Sequence, residues 1–353
     1  MIELIKKNYF VCVGIFLSIV LLVIFNEIFF DNKTFGSSDN LSPKAVGLAL
    51  NEVMEKEGGY PHWQPWVFSG MPTAEAFTNI SQLYFPEYLF KIFSVPGMFI
   101  QISHFLFCGI GMVLLLRYLG CTYWSSLLGS IGFMITPYMV TMLVFGHGSQ
   151  IMTAAYIPWI VMFAIKLWND PKILNIGILS LLLGFQLQRS HVQIAYYTWL
   201  LIGAFFFFKI INIAYKSKKL DSIVLRKLAF FAVACILGLA ISFVIYLPSI
   251  EYSDFSIRGA SSSGGAKYNY ATSWSFHPKE ILTFLLPSAF GFGGQAYWGY
   301  MPFTDYPNYM GIIVLLLALI ATLQKKSFNS SFSFCVSFYC ATIHKIITRN
   351  GRP

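Results

Sequence analysis

Charge is what this chain has least of. Only 11% of its 353 residues are Asp, Glu, Lys or Arg, against 56% hydrophobic and 18% aromatic. That balance excludes an ordinary solvated domain and is a membrane profile. The six cysteines include no CxxC pair. Cys12, Cys108 and Cys235 fall within apolar runs, Cys121 beside one, and Cys335 and Cys340 near the end. They read as free thiols packing as small apolar groups, without a disulfide framework. The P-loop, GxSxG and HExxH signatures of soluble enzymes are missing, and the Gly-rich Phe290–Gly294 piece follows no strand, so it is no nucleotide fingerprint.

What the chain does have is eight apolar runs: Tyr9–Phe30, Gly97–Arg117, Trp124–Val144, Ile151–Trp168, Leu174–Leu187, Val192–Ile213, Lys227–Leu247 and Asn308–Leu323. A hydrocarbon core of ~30 Å needs about 20 apolar helical residues, so the fifth and eighth are the shortest candidates. The expected fold class is all-α: a polytopic integral membrane protein of about eight transmembrane helices. Lysine and arginine collect at alternate ends of these runs, at Lys6, Lys7, Arg117, Lys166, Lys172, Lys209 and Lys227 among others. Positive residues stay cytoplasmic. The N-terminus is therefore expected inside, with two large outer-face loops, 31–96 and 248–307. The net charge of +9 is then a topology signal, and nucleic acid is not the expected partner. Tyr9–Phe30 is longer than a signal h-region and no A-x-A-like site follows it, so it reads as an uncleaved anchor.

The unusual polar residues lie on the expected outer face. In the first loop, Ser42 suits a helix N-cap, Pro43 the first helical position and Gly58 a left-handed C-terminal cap, while Val46, Leu50, Val53 and Met54 share one face. Asp39, in a run of small residues, suits a general base or a ligand of a divalent cation, although its spacing alone favours a turn-forming or helix-capping aspartate. The Trp63-Gln64-Pro65-Trp66 and Ser69-Gly70-Met71-Pro72-Thr73 runs suggest a rigid folded loop, with an interfacial aromatic belt as the plainer reading.

Two short turns carry His147, Gln150 and Arg189, His191, Gln193. Arginine at a membrane edge needs water or an anion, and its planar fork suits a phosphate; snorkelling to lipid phosphate is the alternative. Two histidines in separate turns do not make a zinc site. The second loop opens at Glu251, another candidate acid, passes Arg258 and a Ser/Gly run at 260–265, and ends in Tyr297-Trp298-Gly299-Tyr300. The Ser/Gly run suits a mobile lid.

These residues together resemble the YfhO-like bacterial membrane proteins. The likeness is carried by Asp39, Trp63–Trp66 with Ser69–Thr73, Gly146-His147, His191-Val192-Gln193, Glu251-Tyr252, Ser256–Gly259, Trp274-Ser275 and Tyr297–Gly299, and it covers about residues 5–323. That family is similar to GT-C glycosyltransferases. The resemblance implies a GT-C-like fold and transfer of a sugar from a polyprenyl-phosphate carrier to an extracytoplasmic glycan, lipid or protein acceptor. It places the chain in a bacterial cytoplasmic membrane.

Asp39 matches the expected catalytic position, as base or as ligand of a Mg or Mn ion. His147 and His191 would orient phosphate or acceptor. Arg189 and Arg258 would face the phosphate, with Trp63, Trp66, Gln150, Gln193 and Glu251 around the substrate. Family members continue further. Here the pattern stops near Gln324-Lys325-Lys326, so residues 1–326 are expected to form the membrane domain. Residues 327–353 are expected to be a poorly ordered tail of a truncated, inactive product. A lipid-linked-intermediate transporter or flippase, and a non-enzymatic membrane assembly protein, are the rival readings.

Overall fold

The structure, a computed structural model, describes residues 8–31, 33–59, 61–66, 69–73, 83–217, 221–255, 268, 272, 275–302, 304 and 307–323. Arg258, Trp274, the Ser/Gly run 260–265 and the tail 327–353 lie outside the described residues. The described chain is mostly helical. α1 (Tyr9–Ile24) and α2 (Asn26–Phe30) lead to α3 (Ser38–Glu57), the two-residue strands β1 (Trp63–Gln64) and β2 (Met71–Pro72), and α4 (Glu87–Ile92). Next come α5 (Gly97–Tyr118), α6 (Tyr123–Met134), α7 (Pro137–Val144), α8 (Gly148–Ala155) and α9 (Ile157–Asn169). α10 (Ile173–Gln188), α11 (Val192–Ser217), α12 (Ser222–Ser253) and, after two 3₁₀ turns, α13 (Ile312–Leu323) complete the order.

Among the described residues, five stretches are helical, long and apolar enough to cross a membrane: Gly97–Tyr118, Tyr123–Val144, Gly148–Asn169, Val192–Tyr215 and Ser222–Ser253. Tyr9–Ile24, Ile173–Gln188 and Ile312–Ala321 are apolar but shorter. At a rise of 1.5 Å per residue, the 16 residues of α1 and of α10 reach about 24 Å, short of a ~30 Å hydrocarbon core. The expected first run, Tyr9–Phe30, is divided at Phe25, and α13 begins four residues after Asn308.

Proline explains the break between α6 and α7. A residue before proline is pushed out of the helical region, and Thr136 is extended at φ −55°, ψ 142°. Thr136 also caps the restarted helix by accepting from the Met139 N–H at 3.4 Å, and Pro137 sits at its first position.

The core centres on α5. Phe105, Cys108, Met112 and Leu115 are fully buried there, against Leu17 of α1, Met134 of α6 and Ile160 and Leu167 of α9. Small residues set the closest approaches, as expected where lipid removes the usual hydrophobic drive between helices. A Cβ on Gly184 of α10 would stand 2.6 Å from the Ile241 side chain of α12, and one on Gly238 would stand 2.8 Å from Leu183. Ser130 of α6 donates to the Gly109 carbonyl of α5 at 2.7 Å. The most apolar window of α12 is only 22% buried, so most of that helix presents Leu, Ile, Val and Phe outward.

Candidate functional site

α3 starts earlier than its sequence suggests. Ser37, not Ser42, is the N-cap, so Pro43 lies inside the helix and Asp39 in its first turn. Gly58 does end the helix in the left-handed region, at φ 74°. The face carrying Val46, Leu50, Val53 and Met54 is the inward one, with Leu50 fully buried. A carboxylate in the first turn is favoured by the helix dipole. Pro43 has no N–H to return to the Asp39 carbonyl four residues back.

The turn between α7 and α8 is laid directly on Asp39. Gly146 has φ +88°, and a Cβ on it would stand 2.5 Å from the Asp39 carbonyl carbon and 2.6 Å from the Asn40 nitrogen. Both the backbone angle and the lack of space demand glycine here. Asn40 locks the contact by donating from Nδ2 to the Val144 carbonyl at 3.0 Å and to Ser37 Oγ at 2.9 Å.

The consequence is that His147, the next residue, points Nε2 at Asp39 Oδ2 across 3.7 Å. At that separation a protonated imidazole makes an ion pair, and a neutral one needs a bridging water. The Asp39 side chain is 49% exposed and that of His147 16%, so the carboxylate is open to a substrate while the imidazole is held by packing.

His191 joins this group from the α10–α11 turn, where Ser190 takes φ +58°. Burial, followed by the nearby His147, pulls its pKa down to about 4. The ring is therefore neutral near pH 7. Its Nδ1 accepts from the Ile194 N–H at 3.4 Å, which puts the ring proton on Nε2.

Beside Asp39 opens a cavity of about 580 Å³, in the range of small-molecule sites. Asp39, Asn40, Gly146, Thr34, Lys33 and Lys44 contribute to its wall, with Met98, Phe99 and Gln101 from the start of α5. Lys33 is compensated by Glu27 at 3.3 Å and Asp31 at 3.6 Å. Lys44 donates to Thr34 Oγ1 at 2.9 Å and has no carboxylate partner among the described residues. One carboxylate flanked by two lysines suits an anion that meets a proton acceptor. No group of three metal-ligating side chains assembles among the described residues.

The other sequence candidates fall elsewhere. Arg189 is 6% exposed and held inside the protein. Its Nη1 lies 3.7 Å from Glu87 Oε2 of α4 and its guanidinium 4.4 Å from the Tyr84 ring centre. Burial lowers the Arg189 pKa, opposed by Tyr84 and Glu87, and raises that of Tyr84 to about 12. Gln150 accepts from the Tyr138 hydroxyl at 3.0 Å. Gln193 lies in the first turn of α11, and Glu251 is exposed in the last turn of α12. Neither lines the cavity beside Asp39, and Trp63 and Trp66 do not line it either.

The two tryptophans stand more than half exposed on a pinned hairpin. Trp63 pairs with Pro72 and Gln64 with Met71, Thr73 donates from Oγ1 to the Pro61 carbonyl at 2.6 Å, and the Trp63 indole covers Gly70.

Residues not singled out from the sequence complete the picture. Glu87 answers the buried charge of Arg189, and Lys44 supplies a cation with no carboxylate partner among the described residues. His104 is buried inside α5, where a polar residue within an apolar run was the available signal. Its Nδ1 donates to the Ile100 carbonyl at 2.7 Å, so Nε2 accepts from the Tyr84 hydroxyl at 3.0 Å, which in turn accepts from Tyr156. This chain ties the end of the first loop to α5 and α9. Set against protein-family models, curated proteins and solved structures, the chain matches none of them.

Proposed function

We propose that this protein is a membrane-embedded transferase of the GT-C type, moving a sugar from a polyprenyl-phosphate carrier to an acceptor outside the cytoplasm. The observation that carries the reading is Asp39. It is a half-exposed carboxylate with His147 at 3.7 Å, at the wall of a cavity that also holds the Lys44 ammonium. In this reading the eight apolar runs all cross a bacterial cytoplasmic membrane, the N-terminus is inside, and the cavity opens outward.

The chemistry follows from the groups present. Asp39 takes the proton of an acceptor hydroxyl as its oxygen attacks the anomeric carbon. The bond from that carbon to the carrier phosphate oxygen breaks, and the phosphate departs with the electron pair. Negative charge grows on the phosphate, where Lys44 and, through the cavity wall, Lys33 offset it. His147 steadies the Asp39 carboxylate and accepts or shares its proton through water. Arg189 has no part in this step, because its charge is answered by Glu87 inside the protein.

A second reading, a carrier of lipid-linked intermediates, draws on the interruption of a membrane-length helix at Ile135–Thr136. Broken helices are a transporter device.

The test is turnover by the full chain in lipid, supplied with polyprenyl-phosphate sugars and cell-envelope acceptors, with sugar loss followed by mass spectrometry. Asp39→Asn is expected to lower the rate on the order of 10²-fold or more. Full turnover in Asp39→Asn would remove the transferase reading. Carrier movement across vesicles without sugar loss would favour transport.

A further inference from the structure

At the opposite end of α5 from Asp39 the structure holds a second cavity, of about 490 Å³. Two cations stand at its mouth: Arg117 in the last turn of α5 and Lys166 in the last turn of α9. Neither has a carboxylate within 4 Å among the described residues. Arg117 spends one donor, Nη1, on the Cys121 carbonyl and lies 3.9 Å from the Tyr123 ring centre, while Lys166 lies 4.6 Å from that of Phe163 and 5.5 Å from that of Tyr118. A ring face attracts a cation but leaves its charge unneutralised.

The depth of the cavity is apolar. Trp159 lies seven residues before Lys166 on the same helix, about 10 Å further in, and Leu114 and Met162 also line the wall. The Trp159 indole N–H there is already committed, donating to the Phe107 carbonyl at 2.8 Å. Nearer the mouth, the Tyr9 hydroxyl is spent on the Tyr123 carbonyl at 2.7 Å. The floor therefore has little to offer a polar ligand, while the mouth has two positive charges to give.

We infer that this cavity binds one anionic phospholipid, its phosphodiester between Arg117 and Lys166 and the head of an acyl chain against Trp159. Opposite charge at the rim, spent donors below and a position at the ends of membrane-length helices all match that amphiphile and no soluble anion. A basic pocket between helices is the usual form of such a site. The inference does not rest on the transferase reading, since Asp39 and its cavity lie at the other end of α5.

The experiment is native mass spectrometry of the detergent-purified full chain, titrated with phosphatidylglycerol or phosphatidylcholine. The expected result is a preference for phosphatidylglycerol, with Kd raised about 5-fold by Lys166→Gln and about 30-fold by Arg117→Gln with Lys166→Gln. Lys166→Arg should retain the lipid. If the double variant does not fold, Lys166→Gln and Lys166→Arg decide the matter alone. Equal affinity for phosphatidylcholine, or an unchanged Kd in Lys166→Gln, would overturn the inference. So would complete displacement of the lipid by millimolar inorganic phosphate, since that would reduce the site to a simple anion site.

Discussion

Gly146→Ala isolates the contact that builds the candidate site. Gly146 and Gly120 share a φ of +88°, yet a Cβ on Gly146 would stand 2.5 Å from the Asp39 backbone, whereas one on Gly120 meets nothing within 4 Å. Placing alanine in the left-handed region costs roughly 1–2 kcal/mol, of which about 0.4–1 is returned by the stiffer unfolded chain. Gly120→Ala should therefore lose about 1 kcal/mol. Gly146→Ala carries that loss and an overpacking cost of about 1–3 kcal/mol, because only backbone can give way.

The same displacement moves His147 relative to Asp39. A shift of about 1 Å at a catalytic group costs on the order of 10²-fold in rate. Equilibrium unfolding in mixed lipid and SDS micelles, followed by tryptophan fluorescence, measures the first effect, and the sugar-transfer assay the second. Equal destabilisation by the two substitutions, with transfer intact in Gly146→Ala, would refute the argument that Gly146 sets the Asp39–His147 geometry.

Further outcomes are expected elsewhere. His191 is held neutral with its pKa lowered from 6.5 to about 4, so the unfolded chain binds the extra proton between those values. Its contribution to stability is full above pH 6.5 and is lost as pH falls toward 4, and His191→Gln should flatten the unfolding-midpoint profile in that window. Arg189→Ala should destabilise by about 3–5 kcal/mol by removing the cation that faces the Glu87 carboxylate, whereas Arg189→Met with Glu87→Leu should cost less than either single removal; a double-mutant cycle checks this. Glu280 is 1% exposed and accepts from the Tyr297 hydroxyl at 2.5 Å and the Tyr300 N–H at 2.8 Å. Glu280→Gln should weaken charge-assisted bonds of about 1.5–3 kcal/mol each, read as faster hydrogen exchange across residues 294–301.

Much of the architecture is legible from local pattern. Apolar runs predict where helices lie, because backbone groups in an apolar medium must be satisfied within the segment. Gly58 ends α3 in the left-handed region as its type suggests. Boundaries are less legible. Ser42-Pro43 reads as a helix start, but helix-forming contacts continue back to Ser38, and Leu50 buried on the inner face anchors the whole helix in spite of Pro43. Tyr9–Phe30 reads as one span, yet it divides at Phe25 into α1 and α2.

A helical membrane protein, and the short polar turns from which Asp39, His147, Arg189 and His191 come, are legible along the chain. Those are properties of composition and of neighbours in sequence. Which of these side chains meet is set by packing between distant segments. Asp39 and His147 are brought together because Gly146 admits the α3 backbone, and Arg189 is withdrawn because α4, 102 residues earlier, lays Glu87 over it. A buried charge takes whichever counter-charge packing delivers. Spacing along one strand of sequence carries no record of that choice.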